Sequence, residues 1–221
     1  MYGFLTKLLL SKRLKFTDGE IIFVGENLTL FPLKTMKMMT EDAEKNGKRA
    51  VQQLYFYGWD FGFTFTLAYK RSLKLKKFED TYKSIMDVAA MIGYGDYKTF
   101  EFRRQMYSKY ENIKNPFALL FYPSKEKHCH FIRGANAGGG AALHAILMNG
   151  IELKCASQNG EGCIFMNVNN KILKEEFPKE TEEQLDLDWL RPKQLELIKE
   201  CGEDVKAYEV YPKKATKRVV M

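Results

Sequence analysis

Cys129-His-Phe-Ile-Arg-Gly-Ala-Asn-Ala-Gly-Gly-Gly-Ala-Ala-Leu-His144, followed by Glu152-Leu-Lys-Cys155 and Gly160-Glu-Gly-Cys163-Ile-Phe165, is the stretch on which the reading of this chain turns. Three thiols and a carboxylate, in the order Cys129, Glu152, Cys155, Cys163, offer a tetrahedral donor set of soft and borderline atoms. Such a set suits Zn²⁺ better than Mg²⁺, Ca²⁺ or an iron–sulfur cluster. Between Cys155 and Cys163 lies Asn159-Gly160, a tight-turn signal. A hairpin centred there sets the two thiols opposite each other, with Cα atoms about 4.5–5.5 Å apart. Glu152 precedes Cys155 by three, which in a regular strand is the other face. It is therefore expected where the chain enters the strand after Asn149-Gly150, turned back toward the sulfurs. Cys129, between His128 and His130 at the end of an apolar strand, completes the set.

The same residues admit other roles. Cys155 and Cys163 could form a disulfide across the hairpin, and Cys129 could be a small buried hydrophobe. His128 or His130 could replace Glu152 as ligand, although each points away from Cys129 along a continuing strand. No basic n-region precedes a signal-like apolar segment and cleavage site, so the chain is read as cytoplasmic, where disulfides are disfavoured. Four protein ligands would leave no open coordination position, so a metal here reads as structural. Cys201 lies outside the cluster and reads as an incidental thiol.

The run from Cys129 to Phe165 resembles the vinyl-4-reductase domain, a small-molecule-binding module also present in the sensor halves of aromatic-responsive bacterial transcription activators. In those sensors three cysteines and one glutamate hold a structural zinc. The order Cys129, Glu152, Cys155, Cys163 and the Glu-x-x-Cys-x₇-Cys ending match that pattern residue by residue. The resemblance covers about residues 100–170 and extends more loosely upstream. It implies an α/β (α+β) fold, an antiparallel sheet packed against helices, shared with haem-based nitric oxide sensors and Golgi transport-tethering subunits. Members usually dimerise. The family name implies a link to chlorophyll-type pigment biosynthesis, but a reductase needs an electron source, and no nucleotide fingerprint here supplies one.

A chain of 221 residues with 45% hydrophobic content can bury one substantial core or two small ones, and its 29% charged content is ordinary for a soluble protein. Apolar stretches are interrupted well before the ~18 residues of a membrane span. The net charge of +7 permits acidic partners without requiring nucleic acid. Its two basic runs, Lys70–Lys77 and Lys213–Arg218, lack interleaved aromatics and read as solvated ends. The nucleic-acid motifs are missing, including the DNA-binding domain that the activators carry outside their sensor module.

Element signals divide the chain. Short strands are expected over Gly19–Gly25 and Asn27–Phe31, and one helix from Thr40 to about Arg71. A second helix is expected over Phe78–Met91, stopped by Gly93-Tyr-Gly95. Lys98–Tyr110 reads as one strand and Phe117–Tyr122 as another. Gly134–Gly140 reads as a loop leading into a short helix that ends near Asn149-Gly150. Thr181–Gly202 reads as helical in two pieces around Pro192. The expected organisation is a strand pair and helical region for dimerisation and a pocket wall (1–99), the zinc-bearing vinyl-4-reductase-like part (100–170), and a helical extension with a basic tail (171–221). All three could also form one continuous unit.

Val51–Ala68 is dense in aromatics, with Leu54, Tyr55, Gly58, Gly62, Phe65 and Ala68 at helical spacing. Such a face serves as core or dimer interface. Alternatively, Gly58 and Gly62 leave room for an apolar ligand walled by Tyr55, Trp59 and Phe63. The glycine run lacks the Gly-Lys-Ser/Thr ending of a P-loop, and close backbone approach explains it better than phosphate binding. His144 reads as a satisfied buried or dimer-interface histidine. No Ser-His-Asp, Cys-His or HExxH arrangement is present, so binding is favoured over catalysis. The expectation is a zinc-containing cytoplasmic homodimer that senses a small hydrophobic or aromatic molecule and signals to a separate regulatory protein. The alternatives are a reductase or enzyme accessory for a hydrophobic or tetrapyrrole-like substrate, and a ligand-free dimeric scaffold.

Overall fold

A computed structural model describes residues 2–74, 77–212, 214 and 216–220; Leu75, Lys76, Lys213 and Ala215 of the two basic runs lie outside them. The chain begins with α1 (Tyr2–Leu10) and a three-stranded antiparallel meander, β1 (Leu14–Thr17), β2 (Glu20–Phe23) and β3 (Glu26–Leu28). Gly19 and Gly25, both at positive φ, make its turns. Two helices follow, α2 (Leu33–Lys45) and α3 (Lys48–Leu73). The single helix expected from Thr40 is broken because Gly47, at φ 86°, stands between them. Helix α4 (Phe78–Met91) has the expected bounds.

Lys98–Tyr110 is a hairpin rather than one strand. β4 (Tyr97–Arg103) and β5 (Tyr107–Asn112) turn through Gln105 at φ 62°. Phe117–Tyr122 is not a strand either. Pro116 occupies the first position of a one-turn helix, α5 (Pro116–Leu119), and Asn115 caps it by accepting from the N–H groups of Phe117 and Ala118. The glycine run lies inside a long helix, α6 (His130–His144), not in a loop before one.

The rest comprises β6 (Met148–Lys154), α7 (Ala156–Asn159), β7 (Cys163–Asn169), α8 (Asn170–Glu176), α9 (Pro178–Gln184), α10 (Leu187–Glu200), α11 (Val205–Tyr208) and β8 (Arg218–Val220). Pro192 sits within α10, and the break in the C-terminal helices falls instead at Leu185-Asp186. The second sheet is antiparallel with order β6-β7-β5-β4-β8. An antiparallel sheet packed against helices is the expected architecture.

Glycines explain how α3 and α6 meet at its centre. A Cβ on Gly58 or Gly62 of α3 would stand 2.0 or 1.9 Å from the carbonyl oxygen of Phe131 or Ala135. Reciprocally, one on Gly134 or Gly138 of α6 would stand 2.0 or 1.9 Å from that of Tyr55 or Trp59. Each helix therefore lends the other two missing side chains, and the backbones close to contact. The side-chain space at Gly58 and Gly62 is taken by the α6 backbone, and Gly62 also borders a small cavity. The main core joins Tyr55, Trp59 and Phe63 to Ile146 and Ile151, and to Leu190, Ile198 and Tyr208 of the C-terminal helices. Residues 1–99, 100–170 and 171–221 thus share buried surface. Among the described residues no helix is long and apolar enough to cross a membrane.

Candidate metal centre and apolar cavity

Cys129 is the N-cap of α6 rather than the end of a strand. Its histidine neighbours turn to α2, where His128 Nδ1 and His130 Nε2 lie 2.8 and 2.9 Å from the same oxygen, Glu44 Oε1. Burial raises the Glu44 carboxyl, but the hydrogen bonds with His128 and then His130 outweigh it and bring its pKa down to about 2. Both imidazoles are committed to this carboxylate and stand apart from the sulfurs.

Glu152 reaches the cysteines through a β-bulge. It opposes Phe165 on β7 while Lys154 opposes Ile164, so two steps along β6 match one along β7. The additional residue, Leu153, cancels the three-residue offset and returns Glu152 to the face of Cys155. Asn159-Gly160 does not form a two-residue hairpin. It ends the one-turn helix α7, with Gly160 left-handed at φ 71° as C-cap. Cys155 precedes that turn and Cys163 opens β7, so the connection still delivers both thiols together.

Cys129, Glu152, Cys155 and Cys163 are all buried, and their donor atoms lie within 4.8 Å of one another. Cys129 Sγ stands 3.7 Å from Cys155 Sγ and 3.8 Å from Cys163 Sγ. A tetrahedral ion with metal–sulfur bonds of about 2.3 Å has sulfur–sulfur edges of about 3.8 Å. Two further observations test the fit. Glu152 Oε1 is buried with no hydrogen-bond partner among the described residues. Burial also pushes the Cys129 thiol and the Glu152 carboxyl well up, reinforced at Glu152 by Cys155, because so many acidic groups cannot ionise together in a dry cluster. A divalent cation answers both: it supplies the missing partner of Oε1 and the charge that lets all four donors ionise. The group can hold a metal ion.

The backbone of Glu152 is held as firmly. Gln184 of α9 accepts from its N–H at 2.8 Å and donates to its carbonyl at 3.1 Å, and Lys127 Nζ donates to the same carbonyl at 2.7 Å. Sequence reading passed over Gln184, and nothing in its immediate context marks it.

Tyr55, Trp59 and Phe63 are fully buried against β6. Tyr55 donates its hydroxyl proton to Asn149 Oδ1 and accepts from Gly150 N–H, both at 2.9 Å. Trp59 donates to the Met148 carbonyl at 3.0 Å and stacks on Phe63 with centroids 4.9 Å apart. The structure brings these three together as a strut between α3 and β6. The cavity beside them opens on another face of α3, and none of the three lines it.

That cavity, of about 60 Å³, lies between α3, α4 and α6. Phe61, Phe65, Ile85, Ala89 and Leu143 make it apolar, and Asn136 lines it too. Asn136 Oδ1 accepts from Tyr97 at 3.2 Å, whereas its buried Nδ2 has no acceptor among the described residues. Phe61, Phe65, Ile92 and Tyr94 also wall a larger, open groove of about 690 Å³ that runs to the meander.

His144 Nδ1 accepts from the Gln105 backbone N–H at 2.8 Å, and its Nε2 lies 2.8 Å from Ser108 Oγ. With Nδ1 occupied as acceptor, the neutral ring carries its proton on Nε2 and donates to Ser108. The pair is therefore not a base-activated nucleophile. Burial, reinforced by Arg104 and Lys70, brings the His144 pKa down to about 3.

No family model and no curated protein matches the chain. Solved structures do. The phenol-responsive sensory domain of the transcription activator PoxR, crystallised with phenol, superposes with a TM-score of 0.67 at 14% identity, covering 83% of this chain and 94% of that one. A trafficking protein particle complex subunit 3 from Naegleria fowleri, covalently bound to palmitic acid, gives 0.50 at 14% identity over 62% and 91% of the two chains. A vinyl-4-reductase family protein from Methanocaldococcus jannaschii aligns at 18% identity over 65% and 84%, with a TM-score of 0.41. The chain has the fold of the first two, a sensory domain and a transport-complex subunit, which is the fold expected from the sequence.

Proposed function

We propose that this protein is a zinc-braced receptor for a small hydrophobic molecule of single-ring aromatic size, acting in the cytoplasm as a homodimer that signals to a separate regulatory protein. The observation that carries the reading is the apolar cavity lined by Asn136, whose buried Nδ2 has no acceptor among the described residues. Such a cavity recognises a mostly apolar guest with a single acceptor oxygen. The PoxR likeness supports an aromatic guest of this kind. Helix α6 connects the two parts of the proposal, since it begins at Cys129 and carries Asn136 and Leu143 along the cavity wall. Zinc on Cys129, Glu152, Cys155 and Cys163 would tie the start of α6 to the β6–β7 connection and supply folding free energy.

At about 60 Å³ the cavity is below the ~150 Å³ that accommodates benzene in a protein core. Binding therefore entails movement of the wall formed by Phe61, Phe65, Ile92 and Tyr94, behind which the larger groove lies. Exposed Phe16, Leu30 and Phe31 around that groove supply apolar surface for a second copy to cover.

Calorimetric titration of the zinc-loaded protein with phenol tests the reading. Saturable binding, weakened at least tenfold by Ala89→Phe, is the expected result. Absence of saturable binding with phenol and its alkyl-substituted forms at millimolar concentration would overturn it.

A further inference from the structure

Asn115 is completely buried and makes four hydrogen bonds with two different faces of its amide. Oδ1 accepts from Phe117 N–H at 3.1 Å and Ala118 N–H at 3.2 Å, capping α5. Those two donors fix which end of the amide is oxygen. Nδ2 is thereby aimed at the cysteine cluster, donating to Cys129 Sγ at 3.3 Å and Cys163 Sγ at 3.2 Å. One NH₂ group thus bridges two sulfurs that stand 3.8 Å apart. The other contacts to sulfur are local: Ala156 N–H donates to Cys163 Sγ at 3.2 Å, and Ser157 Oγ, whose proton goes to the Glu126 carbonyl at 2.8 Å, lies 3.0 Å from Cys155 Sγ. Among these, Asn115 alone touches both Cys129 and Cys163, which come from separate elements.

Charge explains why such a bridge matters. Three thiolates and one carboxylate carry four negative charges, and a divalent ion cancels only two. The surplus is buried, where an unmatched charge is costly. N–H donors aimed at sulfur favour the thiolate and draw off part of that charge, as outer-shell partners do at metal centres generally. We infer that Asn115 is a positioning residue of the metal centre: its amide holds Cys129 and Cys163 at the spacing of a tetrahedral edge and stabilises both as thiolates. The inference rests on the reading of the four-residue group as a metal site. It also gives α5 a purpose, since the helical turn orients the amide that the sulfurs need.

The test uses the full chain and three proteins: wild type, Asn115→Asp and Asn115→Ser. Both replacements cap a helix about as well as asparagine. Neither can donate through an NH₂ group to two sulfurs, and the serine variant adds no charge. Zinc affinity is measured by competition with a chromophoric chelator, and Co²⁺ loading is followed through the thiolate-to-metal charge-transfer bands. The expected result is a 10–100-fold loss of zinc affinity in both variants, with charge-transfer bands displaced from those of wild type. Unchanged affinity and bands in either folded variant overturn the role of Asn115, even if melting temperature falls, because a role confined to capping α5 leaves the bands in place. Failure of the wild-type protein itself to take up zinc or Co²⁺ overturns the metal reading and this inference with it.

Discussion

Gln184 stands in for a neighbouring strand at Glu152, its amide pairing with both the N–H and the carbonyl of that residue at 2.8 and 3.1 Å. β6 is an edge strand, and at the bulge its backbone groups need partners from outside the sheet. The first residue to offer them comes from α9, which is itself tied down by the Gln184 carbonyl accepting from Arg133 and Gln52 at 3.0 Å each. Gln184→Ala leaves the Glu152 N–H without its acceptor, while Lys127 still serves the carbonyl. The expected cost is about 1–3 kcal/mol in denaturant unfolding, together with faster zinc release to a chelator. Gln184→Glu retains an acceptor and should lose less.

Zinc content follows from the donor set. About one zinc per chain is expected by elemental analysis, and chelation should lower the melting temperature. Cys155→Ser or Cys163→Ser should abolish the difference between chelated and untreated protein. Zinc-free wild type with an unchanged melting temperature would sink the structural-metal reading.

His144 sets an acid limb to stability. Its folded pKa, about 3, lies below the ordinary 6.5, so between those values the unfolded chain holds more protons than the folded one. Stability is therefore full above about pH 6.5 and declines as pH falls toward 3, at up to about 1.4 kcal/mol per unit from this one group. Glutamine can accept from Gln105 N–H and donate to Ser108 without titrating. His144→Gln should thus flatten the slope of unfolding free energy against pH within that window.

The glycine contacts between α3 and α6 predict a graded series. Gly62→Ala and Gly138→Ala each push a methyl to within 1.9 Å of a carbonyl oxygen on the facing backbone. Each should cost at or above the top of the about 1–3 kcal/mol range for overpacking. Gly139→Ala meets Thr66 Oγ1 at 3.2 Å and the Gly62 carbonyl oxygen at an ordinary 3.7 Å, and should cost much less. Equal effects across the three in thermal unfolding would contradict the close-packed interface.

Much of the candidate metal site was legible because residue type and order survive any local geometry. Cys129, Glu152, Cys155 and Cys163 identify a donor set whether Cys129 ends a strand or caps a helix. What could not be read was the local backbone. The bulge at Leu153 leaves no compositional mark, and Gln105 turns the β4–β5 hairpin at positive φ without glycine or asparagine to announce it. The glycine run reads as a loop because its helical cost is met by close contacts with α3 and, at Gly140, with Asn167 of β7, tertiary gains invisible in a local window. β5 pairs with β7, and nothing in either segment names the other. The aromatic stretch was seen as a whole, but its faces could not be ranked. Gly58 and Gly62 lie on the stripe of Tyr55 and Trp59, which α6 covers, and of these four Gly62 alone also lines the cavity. The cavity joins Gly62 to Phe61 and Phe65, one face around the same helix.

That assignment yields the sharpest test of the proposed ligand site. Phe65 separates the small cavity from the groove along the meander, contributing to both walls while stacking on Phe61 at 5.6 Å and tilting against Phe23 at 5.3 Å. Phe65→Ala removes a ring from the partition, so the two spaces should merge. Deleting so large a buried side chain should cost about 3–5 kcal/mol, and a guest that fills the new space should return part of it. Phenol should therefore raise the melting temperature of Phe65→Ala by more than that of wild type, and Ala89→Phe, which fills the cavity from α4, should show no rise. The aromatics of the strut provide the contrast. Phe63→Ala deletes a comparable ring from the other face of α3, so it should destabilise the fold without gaining any response to phenol. If Phe63→Ala responds and Phe65→Ala does not, the guest occupies the strut side and the cavity between α3, α4 and α6 is not its site.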